Sequence, residues 1–153
     1  MIEAEQRLSE LGLELPEAPQ PVANYVPFLL AGDQLSISGQ ISKDVTGRIL
    51  TGSLGDGASI EDGQTAARHA ALNLLAQAKA ALGGLDRIAK VLRLTGFVAA
   101  APGFADHPKV INGASDLLVA VLGDAGRHTR SAVGVASLPM GASVELDAIL
   151  KVR

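Results

Sequence analysis

An α+β fold, with a mixed β-sheet carrying two long helices on one face, is predicted by three features of this 153-residue sequence. Two segments, near 59–84 and 106–126, combine helical apolar spacing with capping residues at the start and glycines at the end. Strand-like segments lie before, between and after them. The last stretch, His128 to Arg153, reads as two strands joined by a short loop, which gives the order hairpin, strand, helix, strand, helix, hairpin. Strands placed around two helices in this way point to helices packed on one side of a sheet.

In order, residues 2–11 read as a short helix, with Ile2, Leu8 and Leu11 at helical spacing and Gly12 as its stop. Pro16, Pro19 and Pro21 then impose an extended connection, because proline and the residue before it disfavour helix. Residues 1–21 are thus expected to form an N-terminal packing arm and linker, and 22–153 the main domain. Tyr25–Leu30 and Leu35–Ser38 flank a Gly32-Asp33 turn signal and form the first hairpin. Gly39, directly after that strand pattern, signals a bulge or a close backbone approach. Asp44 to Gly47 reads as a turn, Arg48–Leu50 as a short strand, and Thr51–Gly57 as a plain loop whose glycines match no phosphate-binding fingerprint. Ser59 is a candidate N-cap with Asp62 at the capping-box position. Ala67, Ala71, Leu74, Ala78 and Leu82 then make one apolar stripe, closed by Gly83-Gly84. A strand follows over Ile88–Ala99. The second helix starts at Asp106-His107-Pro108, with aspartate as the cap and proline in the first turn. Val110, Ala114, Leu117, Leu118 and Val121 line its buried face, and Gly123 and Gly126 close it.

The final two strands carry the clearest pattern. Ala132, Gly134, Ala136 and Leu138 share one face of the first strand. Val144, Leu146, Ala148, Leu150 and Val152 share one face of the second, opposite Glu145, Asp147, Ile149, Lys151 and Arg153. Leu138-Pro139-Met140-Gly141 supplies the connection.

Composition excludes several chemistries. Hydrophobic residues make up 48% of the chain and aromatics 3%, so Ala, Leu, Val and Ile build the core. Net charge is −3, with no basic block of the kind that binds nucleic acid or anionic membranes. The absence of cysteine removes disulfides, thiolate metal sites and a cysteine nucleophile. No apolar run approaches a bilayer span, and the N-terminus lacks a signal-peptide core, so a soluble cytoplasmic protein is the expectation. His69, His107 and His128 show no ligand spacing, so no metal is expected. Ser38 and Ser131 lie in no nucleophile elbow and assemble no triad. Arg130 and Glu145 remain at the strand edges. Spacing alone leaves them as either solvated charges or a functional pair. An arginine fork matches a carboxylate bidentately, and a carboxylate can orient water, so the pair suits hydration of a C=N bond in a small acid.

The segments R-S-A-V-G-V-A-S-L-P (130–139) and V-E-L-D-A-I (144–149) resemble the C-terminal signature of the YjgF/RidA family, R-x-x-V-x-V-x-x-L-P followed by (I/V)-E-(I/L)-x-A. Tyr25 with L-S-I-S-G-Q-I (35–41) is similar to that family's S-G-Q segment, and F-A-D-H-P-K-V-I-N (104–112) to its F-x-x-V-N segment. The matches run in family order from about Tyr25 to Arg153. The resemblance implies a chorismate-mutase-like α+β sandwich that forms a homotrimer with a central β-barrel and clefts between subunits. It also implies a cofactor-free 2-iminoacid or enamine deaminase that releases a 2-oxo acid and ammonia. By the same resemblance Arg130 binds the substrate carboxylate and Glu145 orients water. Tyr25 closes the cleft, Gly39 makes a backbone contact and Asn112 lies nearby. Ala132 stands where the deaminase group often has cysteine, leaving only its backbone to hydrogen-bond. Gly134 stands where a larger residue is common, which implies a wider pocket. The N-terminal arm places the chain among longer relatives. The alternative within this fold is a non-catalytic binder of small carboxylates, which needs Arg130 but not Glu145. An endoribonuclease, a name some relatives carry, is disfavoured by the acidic balance and scarce aromatics.

Overall fold

The computed structural model describes residues 3–20 and 23–153. Its elements in chain order are α1 (Glu3–Glu10), β1 (Phe28–Ala31), β2 (Gln34–Ile41), β3 (Ser53–Leu54), β4 (Gly57–Ala58), α2 (Ile60–Leu82), β5 (Ile88–Ala99), α3 (His107–Leu122), β6 (Thr129–Val135) and β7 (Val144–Val152). Ile2 and Pro21, assigned above to the first helix and the linker, lie outside the described residues. The fold is α+β with a mixed sheet. β1, β2, β7, β5 and β6 lie side by side in that order, with α2 on β2 and β7 and α3 on β5 and β6.

Both helices form for the reasons their sequences contain. At α2 the capping box is complete: Ser59 Oγ accepts from the Asp62 amide at 3.0 Å, and the Asp62 carboxylate accepts from the Ser59 amide at 3.0 Å. Gly83, at φ 80°, ends the helix in the left-handed conformation. The stripe Ala67, Ala71, Leu74, Ala78 and Leu82 is buried, as is the predicted face of α3. Asp106 does occupy the N-cap position of α3, but its side chain makes no capping bond. Its carboxylate turns instead to Lys109, 3.5 Å away. No helix among the described residues is long and apolar enough to cross a membrane.

The C-terminal hairpin is not formed. β6 pairs in parallel with β5, and β7 pairs antiparallel with β5 on its other side and with β2. The connection from Val135 to Val144 therefore crosses the end of β5. Its length permits this, since only about 10 Å separates next-nearest strands. β5 is long, apolar and joined to β6 through α3, which is the crossover a parallel pair requires. The crossover turn is irregular: Met140 has φ 58° and Gly141 φ 73°. Ala136 and Leu138 consequently lie beyond the end of β6. Upstream, β1 begins at Phe28 rather than Tyr25, and β2 runs on to Ile41. Arg48–Leu50 forms no strand, only a bridge between Lys43 and Ile49, while the 51–57 loop contains β3 and the start of β4.

Alternation holds along β7. Val144, Leu146, Ala148, Leu150 and Val152 face the helices and are buried. Glu145, Asp147, Ile149 and Lys151 lie on the opposite face, which no element among the described residues covers. Leu29, Val133 and Ile149 on that face remain 61%, 44% and 37% exposed. α1 adds Ala4 and Leu8 to the core, and Glu5 pairs with Lys79 of α2 at 3.0 Å.

Close contact between α2 and α3 depends on Gly113. A Cβ there would collide with the Gln64 carbonyl oxygen and lie 2.9 Å from its Cα. Backbone cannot rotate aside as a side chain can. Gly113→Ala is therefore expected to lower stability by about 1–3 kcal/mol, measured by urea denaturation. A loss below about 0.5 kcal/mol would mean that the helices separate freely.

Candidate ligand site

Glu145 and Gly39 meet across a bulge. Register between β2 and β7 shifts between Ile37, opposite Ala148, and Gln40, opposite Leu146. The extra residue bends β2 and lets the Glu145 side chain lie over the Gly39 backbone. A Cβ on Gly39 would sit 2.8 Å from Glu145 Oε2 and 2.9 Å from its Cδ. Gly39 thus marks both the bulge and the close approach that its sequence position signalled.

Glu145, Gly39 and Tyr25 line one cavity of about 440 Å³, with Gln40, Lys43 and Met140 among its other walls. Tyr25 lies before β1 and is half exposed. Its segment is held to β2 by Ser38, whose hydroxyl donates to Val26 O at 2.7 Å and whose amide donates to Pro27 O at 2.9 Å. Burial raises the Glu145 pKa above the ordinary carboxyl value, and the charge on Asp147 raises it further. No hydrogen bond among the described residues opposes that shift.

Arg130 belongs to a second cluster. It leaves the edge strand β6 on the helix-covered side and reaches α3. Nη1 donates to Asn112 Oδ1 at 2.9 Å and to Ser115 Oγ at 3.0 Å, and Nη2 donates to Pro108 O at 3.3 Å. All three acceptors are uncharged, and Arg130 forms no salt bridge among the described residues. Ala132, two residues along β6, is half-buried on the same face, level with Gly96 of β5. Ser115 and His128 were not singled out by sequence. The signals were present: Asn112 and Ser115 are three apart on a helix, and His128 and Arg130 two apart entering a strand, so each pair shares a face.

The side-chain position of Gly134 is not empty. The space its missing side chain leaves is occupied by the His107 imidazole, which packs edge-on against Phe104 with ring centroids 5.2 Å apart. A glycine on β6 and a histidine at the start of α3 therefore fill one volume together.

Within one chain the two clusters stay apart. Arg130 is level with Leu94 on β5 and Glu145 with Phe97, positions of opposite parity, so the side chains leave opposite faces of the sheet. Two strand spacings and a three-residue offset, each roughly 10 Å, also separate them. The structure brings Tyr25, Gly39 and Glu145 together, and separately Arg130, Asn112 and Ala132. A single small molecule cannot touch both sets in one chain.

Residues 5–148 match the family described as "YjgF/chorismate mutase-like, putative endoribonuclease". Protein TCP17 of Trypanosoma cruzi is 47% identical over 147 residues, which cover 95% of this chain and 92% of that protein. The crystal structure of an Agrobacterium tumefaciens protein of unknown function is 48% identical, with a TM-score of 0.91 over 99% of this chain and 94% of the other. E. coli TdcF with bound serine is 27% identical, with a TM-score of 0.64 over 92% of this chain and 96% of that one.

The contact at Gly39 gives a direct test of the Glu145 position. Gly39 does not have the positive φ that would exclude alanine, and the far end of a glutamate yields more readily than backbone. Gly39→Ala is expected to displace the Glu145 carboxylate while shifting Tm by no more than about 4 °C, near 1 kcal/mol for this size of chain. A crystal structure of the variant and a thermal melt check both parts. An unmoved carboxylate with a large drop in Tm would show that the side chain is locked in place.

Proposed function

The chain belongs to the YjgF/chorismate-mutase-like family, and on that premise we propose that it hydrolyses enamines and imines derived from amino acids to 2-oxo acids and ammonia. The observation that carries this reading is the state of Arg130, a guanidinium held by three neutral acceptors and paired with no carboxylate among the described residues. Its remaining N–H groups can donate to a small carboxylate in the bidentate geometry that arginine favours. The bound serine of E. coli TdcF, a small carboxylate in a relative of this fold, supports the ligand class.

Because Arg130 and Glu145 leave opposite faces, the reaction requires two chains. In this reading three copies pack through their uncovered sheet faces, where Leu29, Val133 and Ile149 are exposed. Each site takes Arg130, Asn112 and Ala132 from one chain, and Tyr25, Gly39 and Glu145 from the next. Arg130 holds the carboxylate, and the enamine tautomerises to the imine. A water on Glu145 adds to the C=N carbon, its proton passing to the carboxylate and on to nitrogen. The hydroxyl proton of the carbinolamine then passes to its nitrogen, the C=O bond forms as the C–N bond breaks, and ammonia leaves the 2-oxo acid. A raised pKa suits a carboxylate that must both take and return that proton. The same Arg130 geometry also serves a binder of small carboxylates without catalysis, the second reading, in which Glu145 is dispensable.

Variants separate these readings. Arg130→Ala is expected to weaken 2-oxo acid binding on the order of a hundredfold, through two lost charge-assisted hydrogen bonds. Arg130→Lys should recover little, because it lacks the fork. Glu145→Gln should keep 2-oxo acid binding but lose hydrolysis, followed by semicarbazide trapping of imines made in situ by an amino-acid oxidase. Wild-type activity should fall on acidification through an ionisation above the ordinary carboxyl range, since the ionised Glu145 accepts the proton. The fold raises this pKa, so its contribution to stability is present below the unfolded value and lost as pH rises through the folded one. Glu145→Gln should therefore be at least as thermally stable as wild type at neutral pH. Binding of 2-oxo acids with no imine hydrolysis in the wild type would establish the binder instead. RNA cleavage that Glu145→Gln abolishes would establish a nuclease.

Light scattering should give about three times the 15.6 kDa chain mass. Arg130→Ala and Glu145→Gln chains, each inactive alone, should recover about a quarter of wild-type activity when co-expressed, as random mixing in a head-to-tail ring requires. A monomer, or mixed chains that stay inactive, would sink the shared site.

A further inference from the structure

The hydrogen-bond chain behind Arg130 has a direction imposed by its two ends. Arg130 can only donate, and its Nη1 donates to Ser115 Oγ at 3.0 Å. At the other end Gly126 O can only accept, and it faces His128 Nδ1. Nδ1 must therefore carry the hydrogen. In a neutral imidazole this leaves Nε2 as an acceptor, 2.9 Å from Ser115 Oγ. The Ser115 hydroxyl accepts from Arg130 and donates to His128, so every group is satisfied in a single order: Arg130 to Ser115 to His128 to Gly126. An imidazolium, or the opposite tautomer, would place a second donor against Ser115 Oγ and leave the hydroxyl proton with no acceptor in the chain.

The surroundings favour the neutral ring. Half-burial lowers the His128 pKa, the Gly126 carbonyl partly opposes this, and the charges of Arg130 on β6 and Lys90 on β5 lower it further. The segment is also fixed sterically. A Cβ on Gly126 would collide with the Leu118 carbonyl of α3, so the turn before β6 is pressed against the helix that carries Ser115 and Asn112.

We propose that His128, as the neutral Nδ1–H tautomer, is a positioning residue that acts through Ser115 to fix Arg130 for carboxylate binding. This rests on the reading of Arg130 as the carboxylate clamp. The arginine side chain has several rotatable bonds, and Asn112 and Pro108 take one hydrogen each from Nη1 and Nη2. Ser115 supplies a further point, and that hydroxyl is oriented only because His128 accepts its proton. Neither residue need touch the ligand.

The test compares two amides with different reach. Glutamine at 128 places an oxygen where Nε2 lies and can accept from Ser115; asparagine reaches only the Nδ1 position. Calorimetric titration of the full chain with pyruvate should show that His128→Asn and Ser115→Ala each weaken binding about three- to tenfold, the effect of one hydrogen bond. His128→Gln should stay within about twofold of wild type, and the His128→Asn, Ser115→Ala double variant should lose no more than either single one. Long-range proton–nitrogen NMR of the wild type should show His128 as the Nδ1–H tautomer at neutral pH. An Nε2–H tautomer, additive losses, or equal effects of asparagine and glutamine would overturn the inference while leaving the Arg130 clamp intact. Unchanged pyruvate binding by Arg130→Ala would remove the clamp, and the positioning role with it.

Discussion

Strand β5 bonds to β6 in parallel on one side and to β7 antiparallel on the other, and the rest of the molecule follows from that double pairing. It places the two C-terminal strands on either side of a third. It requires α3 as the crossover between β5 and β6, which brings Pro108, Asn112 and Ser115 to Arg130. It leaves β6 as an edge strand, so the arginine emerges beside open solvent. It also settles that Arg130 and Glu145 leave opposite faces, because they align with β5 residues of opposite parity. A tight hairpin of β6 and β7 would instead have made the strands of Arg130 and Glu145 immediate neighbours.

The two charged groups are prepared in contrasting ways. Arg130 is surrounded by neutral acceptors that orient its planar head without neutralising it, so its charge remains available. Glu145 has the reverse environment: a half-buried carboxylate with no donor among the described residues and Asp147 nearby. Losing water without gaining a partner disfavours the ionised form. Each group is therefore incompletely satisfied in the isolated chain. The uncovered sheet face lies beside Glu145 and the open sheet edge beside Arg130.

Space is allotted by glycine in three different ways. Gly113 admits another helix's backbone, Gly39 admits the Glu145 side chain, and Gly134 admits the His107 ring. Only the first is purely a packing device. At Gly39 the missing side chain decides where the Glu145 carboxylate rests. At Gly134 it gives room to the ring of His107, more than twenty positions earlier. Position 134 by itself suggests open space; the ring that takes up that space is visible only once α3 lies across β6.

The sequence by itself determined the helices and their buried stripes, the extent of β5, the alternation along β7, and the residue types able to hold a carboxylate. These depend on local geometry: side-chain direction repeats every 3.6 residues in a helix and every two in a strand, and caps act within one turn. It also carried the motifs that identify the family. Tertiary structure alone decided which strand is whose neighbour, because a strand's backbone donors and acceptors are indifferent to the sequence of the partner that satisfies them. The competition for the edges of β5 was won by segments fixed through non-local packing of α2 and α3 on one face. The same packing joined His128 to Arg130 through a serine thirteen residues before that histidine, a contact that requires a helix and a strand to lie together.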